Sequence, residues 1–243
     1  MVAQRLTPAA LHPSMIVPLA PDHAPAAARL HIAGQPGTFL TALGPEVLTV
    51  LYAQLPRSTV GFGFAAVDDD SVDADSADDA GAVSGFVSAT TGVGRLFAEL
   101  GTRRMGQFAP ALLRRYAQAP GLIIRSAQTV LYPLLARADD VDAHHGAPAE
   151  LLSIMVEPAR RGQGIGSVLL ARLVTECQTR RLPALDVTVD ATNAAARRFY
   201  ARHGFVLRKE FTLYGRAMCL YQRALTTREP DAPPDLRHED ERD

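Results

Sequence analysis

The apolar positions of the chain change period along its length, and the changes mark the elements. Residues 22–34 and 44–55 read as helices, and Leu40, Leu43, Val47, Leu48, Leu51 and Tyr52 recur at helical spacing. Gly61 to Val67 is a short apolar run that suits a strand, and Ala82 to Thr90 a second one. Asp68 to Asp79 between them is rich in Asp, Ser and Ala. It has almost nothing to bury, so it reads as the mobile tip of a hairpin. Leu96, Phe97, Leu100, Phe108, Leu112, Leu113 and Tyr116 predict helix. So do Ile123, Ile124, Val130, Leu131 and Leu134, with Pro110, Pro120 and Pro133 as punctuation.

The second half carries the clearest pattern. Glu150 to Val156 reads as a strand, Arg161 to Gly166 as a glycine-rich turn, and Ser167 to Arg180 as an amphipathic helix. Leu185, Val187 and Val189 alternate with Asp186, Thr188 and Asp190, a strand with one buried face. Asn193 to His203 reads as a helix, and Phe205 to Phe211 and Arg216 to Arg223 as strands. Residues 1–20 are Pro-rich and read as extended; residues 226–243 combine Pro with charge and read as a disordered tail.

Composition narrows the class. The chain has 243 residues, 47% of them apolar and 21% charged, which fits a globular domain with a sizeable core. Its net charge of -1 gives no general basic surface for nucleic acid. No run of eighteen or more apolar residues appears, so no membrane span or membrane partner is expected. The N-terminus does not read as a signal peptide, and a cytoplasmic location is the expectation. Cys177 and Cys219 form no ligand pattern, so no metal site is expected.

The turn after Val156 carries candidate chemistry. A strand ends, glycines 162, 164 and 166 follow, and a helix begins. The first N–H groups of a helix lack internal partners, and the helix dipole adds positive charge there. Together they make an anion site that suits a diphosphate. Arg161 adds charge beside it. A tight turn before an ordinary helix is the plain alternative. Neither a G-x-G-x-x-G dinucleotide fingerprint nor a G-K-[ST] loop is present.

Arg161-Gly162-Gln163-Gly164-Ile165-Gly166 resembles the [Q/R]-x-x-G-x-[G/A] acetyl-CoA loop of the GCN5-related N-acetyltransferase (GNAT) superfamily. Asn193, Ala196, Phe199, Tyr200, Gly204 and Phe205 resemble that family's second block. The close resemblance covers about residues 149–223. It implies an α/β (α+β) GNAT fold: a mixed central sheet of six to seven strands flanked by helices. Residues 1–225 would form the single domain, and the helical insertion at 95–137, between the third and fourth strands, departs from the compact family pattern.

The resemblance also implies a mechanism: direct transfer of the acetyl group of acetyl-CoA to a primary amine of a small molecule or peptide. Ile154, Met155 and Val156 would contact the pantetheine and the acetyl carbonyl. The backbone of Gly162 to Ser167, Gln163 and Ile165 included, would hold the pyrophosphate. Asn193 would face the pantetheine or cap its helix, a place that suits Asn. Tyr200 would donate a proton to the departing thiolate or pack its ring in the core. Glu150 would act as base, directly or through water, or stand as a surface carboxylate at a strand end. His144 and His145 are weaker candidates in a polar loop, and Cys177 reads as core. Arg103, Arg104, Arg114, Arg115 and Arg125 lie on solvated helix faces or on a lid for an anionic acceptor. The exposed last strand offers an edge for a homodimer. The other class open to the chain is a non-catalytic acyl-CoA-binding sensor.

Overall fold

A computed structural model describes residues 14–68, 82–103, 105–122, 148–213 and 215–225. The acidic hairpin tip, most of the second half of the insertion, His144 and His145, and the tail lie outside the described residues. Seven strands form one sheet: β1 (Ser14–Pro18), β2 (Gly61–Asp68), β3 (Val83–Thr90), β4 (Ala149–Val156), β5 (Ala184–Asp190), β6 (Val206–Leu213) and β7 (Arg216–Ala224). Their order is β1-β2-β3-β4-β5-β7-β6. The fold class read from the sequence holds: a mixed sheet flanked by helices, with helices inserted between the third and fourth strands.

Helices cover both faces. α1 (Ala24–Gly34), α2 (Phe39–Leu43) and α3 (Pro45–Gln54) precede β2; α4 (Val93–Arg103) and α5 (Met105–Gln118) follow β3. α6 (Ile165–Thr179) follows β4, and α7 (Ala194–Arg202) follows β5. On one face α6 buries Leu169, Leu170, Leu173, Val174 and Cys177 against Val87, Leu151 and Val187. Each fully buried leucine contributes about 1.5–3 kcal/mol. On the other face Leu30, Leu48, Tyr52, Leu96, Leu100 and Phe108 pack over Phe86 and Met155.

Every neighbouring pair is antiparallel except β4 and β5. A parallel pair needs a crossover, and α6 supplies it. That pair is short: it runs from Ala149, Glu150 and Leu151 to Leu185, Asp186 and Val187. Beyond Leu151 the two strands part. β4 is also bulged there, because Ser153 faces Ser88 while Leu151 faces Ala89, leaving Leu152 as the extra residue.

Four sequence expectations are corrected. The last strand is not an edge: β7 lies between β5 and β6, so β6 is the edge strand at that end of the described sheet, with Val206 59% exposed. The hairpin turns back into the sheet because β7 carries the buried Cys219 and Tyr221 that β5 can cover, while β6 carries the polar run. The helical run from Leu40 is broken at Gly44, whose φ of +90° ends α2. Pro110 lies inside α5 rather than at its end. α6 begins at Ile165, so Ile165 to Ser167 form its first turn and not the end of a loop.

Candidate active site

The parting of β4 and β5 opens a cleft of about 920 Å³. Its walls are the C-terminal half of β4, Val187 to Asp190 of β5, the start of α6 and one side of α7. Gln35, Pro36 and Thr38, after α1, close it from the other face. Gly34 lets that turn approach: a Cβ there would stand 2.4 Å from the Met155 sulfur.

The start of α6 is built to leave donors open. Its N-cap is Gly164, held at φ +87°, and no side chain caps the helix. Gly162 is at φ +80°. A Ser or Asp cap would consume an N–H, and glycine does not. Ser167 N–H instead reaches the Gly164 carbonyl at 2.9 Å, and Val168 N–H reaches it at 3.1 Å. Among the described residues the N–H groups of Ile165 and Gly166 have no such partner. The Arg161 guanidinium donates to the Val156 carbonyl at 3.2 Å and lines the cleft. Arg160 braces this loop: it pairs with Asp68 at 2.7 Å and donates to Gln163 Oε1 at 2.9 Å. These donors and the cleft fit an acyl-CoA, whose diphosphate needs N–H groups and whose arm needs a slot.

Most of the expected residues are brought together. Ile154, Met155, Val156, Arg161, Gly162, Gly164, Ile165, Gly166, Ser167, Asn193 and Tyr200 all line the cleft. Gln163 does not, because its side chain is turned to Arg160. Asn193 caps α7, its Oδ1 accepting from Ala196 N–H at 3.0 Å. That leaves its amide donors for the cleft. Tyr200 is 5% exposed, with its ring packed edge-on against Phe199 and Phe205. Burial raises its pKa.

Glu150 stands apart from the cleft lining. It lies opposite Thr90 on β3 and beside Asp186 on β5, one position below the point where the strands part. Burial, and then the Asp186 carboxylate, push its carboxyl up to about 7. Asp186 in turn accepts from Gln222 at 2.9 Å. Cys177 is buried, and burial pushes its thiol up to about 12, so it is no ready nucleophile. Arg114 and Arg115 are engaged away from the cleft: Arg114 pairs with Glu46 at 2.7 Å, and Arg115 donates to the Ala42 carbonyl at 2.7 Å. Among the described residues of the insertion, none lines the cleft.

A polar cluster missed in the sequence sits behind the β4 bulge. His31 of α1 is fully buried, and its Nδ1 is 2.6 Å from the Tyr52 hydroxyl. Tyr52 donates to Ser153 Oγ at 3.2 Å. His31, at 0% exposure, is held neutral by burial, which lowers its pKa to about 4. Among the described residues its Nε2 and Ser88 Oγ are buried without partners. Leaving such a group unpaired costs about 1–3 kcal/mol. Nothing in the spacing of His31, Tyr52 and Ser153 signals their meeting, since 122 positions separate the ends.

A mixed sheet whose parallel pair parts beside an uncapped, glycine-led helix sets a slot next to open N–H donors. The Acetyltransferase (GNAT) family model matches residues 134–205. That match spans less than a third of the chain and includes β4, α6, β5 and α7, the elements that wall the cleft. Its fold is similar to that of Arabidopsis thaliana NAA60 in complex with acetyl-CoA: 15% identity over 87% of this chain and 98% of that one, TM-score 0.54. A putative GNAT acetyltransferase from Desulfovibrio desulfuricans matches at 16% identity over 87% of this chain and 100% of that one, TM-score 0.52. Ard1 from Thermoplasma volcanium matches at 14% over 88% and 98%, TM-score 0.51. No curated protein matches the sequence. Among the described residues no helix is long and apolar enough to cross a membrane, and no group of three His, Cys, Asp or Glu is placed to hold a metal.

Proposed function

We propose that the chain is an acetyl-CoA-dependent N-acetyltransferase acting on a primary amine of a small molecule or peptide. The observation that carries this is the meeting of the β4–β5 cleft with the open N–H groups of Ile165 and Gly166, with Tyr200 in the same wall. When bound, acetyl-CoA supplies an activated thioester whose acetyl group passes to the amine.

The chain's own residues then have distinct tasks. Gly162 to Gly166 and Arg161 bind the diphosphate; Ile154, Met155 and Val156 flank the pantetheine, and Asn193 offers its amide N–H groups to it. Tyr200 keeps its proton because burial disfavours the phenolate, and its hydroxyl donates a hydrogen bond to the departing thiolate, which leaves with the proton that the amine gives up through Glu150. Glu150, with a carboxyl near 7, takes the proton of the amine. Because it lies below the cleft lining, a bridging water completes the path. Pairing of two copies belongs to the same proposal, with β6 as the edge strand used. A monomer in sedimentation equilibrium would remove that part.

The test is thiol release from acetyl-CoA with a panel of primary amines, with Tyr200→Phe in parallel. Amine-dependent release, lowered about 10²-fold or more in the variant, supports the transferase. Binding without release on any amine favours an acyl-CoA sensor.

A further inference from the structure

The His31–Tyr52–Ser153 cluster is costly for the core and sits behind the bulge that shapes the cleft. Its hydrogen bonds have a direction. Tyr52 has one proton, and it goes to Ser153 Oγ at 3.2 Å. The Tyr52 oxygen is then left to accept, and the partner at 2.6 Å is His31 Nδ1. That arrangement places the histidine proton on Nδ1 and leaves Nε2 as the buried lone pair without a partner. Ser153 Oγ is also 3.4 Å from Nδ1, but a protonated Nδ1 cannot accept from it. Ser88 Oγ, on the residue facing Ser153 across the strand pair, makes no hydrogen bond. So the hydroxyl proton of Ser153 has no acceptor within the cluster. Ser153 lines the cleft, close to where β4 and β5 part.

We infer that Ser153 donates a hydrogen bond to the carbonyl oxygen of a bound acyl thioester, and that Tyr52 and His31 are positioning residues that aim it. This rests on the reading of the cleft as an acyl-CoA site. Tyr52 fixes the serine rotamer by donating to it, and His31 fixes Tyr52 by donating in turn. The rings are locked as well: Tyr52 is 1% exposed and packs edge-on against Phe86 at 4.8 Å. A donor held in this way before the ligand arrives needs no rearrangement to meet the oxygen. It also separates acetyl-CoA from CoA, which has the same nucleotide and arm but no carbonyl at that end.

The test is calorimetric titration of the full chain with acetyl-CoA and, separately, with CoA, for the parent and for Ser153→Ala, Ser153→Thr, Tyr52→Phe and the Tyr52→Phe/Ser153→Ala pair. Ser153→Ala and Tyr52→Phe should each weaken acetyl-CoA by roughly three- to tenfold and change CoA less than about twofold, the range of one neutral hydrogen bond. The pair should fall no further than Ser153→Ala, because Tyr52 acts through the serine. Ser153→Thr, which keeps the hydroxyl, should retain most of the preference, and it serves if Ser153→Ala does not fold. Equal weakening of both ligands, or no weakening of either in variants that keep their thermal midpoint, would overturn the inference and leave the transferase reading standing. A parent chain that binds neither ligand would overturn both.

Discussion

Two side chains, Glu150 and His31, are shifted from their ordinary protonation by burial. Glu150 is raised from its ordinary 4.5 to about 7, so it is ionised only above neutrality. Activity that needs it as a base should rise with pH through about 7 and level off. Glu150→Gln should abolish that rise and lower turnover at pH 8 by about 10²–10⁴-fold, read from a pH–rate profile. The same shift has an opposite sign for stability. A carboxyl whose folded pKa lies above the unfolded one contributes stability below 4.5 and loses it as pH rises through 7. Glu150→Gln should therefore be more stable than the parent at pH 8 and equal to it at pH 4 in denaturant titrations. His31 runs the other way. Its folded pKa is lowered from 6.5 to about 4, so its contribution is present above 6.5 and lost as pH falls through 4. The loss amounts to about 3 kcal/mol, and His31→Gln should lack that part of the acid slope.

The elements are where sequence and structure agree best, and the reasons for the misses are physical. Alternation in Leu185 to Asp190 and the leucine stripe of α6 are local signals, and both elements stand where those signals place them. The glycine loop before α6 was legible because it needs glycine at a left-handed backbone and a helix immediately after. The start of α6 was read two residues late because a glycine cap carries no side-chain signature. β1 was legible only as extended chain, since its partner β2 lies about fifty residues away. The edge was misplaced because strand order within a hairpin depends on which strand the rest of the sheet can cover, a long-range property. Tyr200 and the β4 wall were legible through the resemblance of their motifs to a known family; the buried cluster behind that wall was not, because three distant residues meet only on folding. Gly164 gives the sharpest element-scale prediction. At φ +87° an alanine costs about 1–2 kcal/mol in backbone strain. Gly164→Ala should weaken acetyl-CoA by about tenfold in calorimetry with the sheet's circular dichroism unchanged.

At the scale of the whole molecule, the cleft joins two cores that are otherwise separate. α6 and α7 lie on one face of the sheet and α1 and α3 on the other, and β4 is the strand both share at the site. Ile154 and Val156 pack toward the first core, and Leu152 and Met155 toward the second. The bulge between them lets one strand serve both while it turns away from β5. The inserted α4 and α5 extend the second core over α3 and are held there by Phe108, Leu112 and the Arg115 bond to Ala42, so their described part buttresses α2 and α3 rather than covering the cleft.

Calorimetric titration of the purified chain with acetyl-CoA tests the proposed occupancy of this cleft most directly, without knowledge of the amine. One acetyl-CoA bound per chain, with a rise in thermal midpoint on saturation, is the expected result. No heat and no midpoint shift in a chain that is folded by circular dichroism would contradict it.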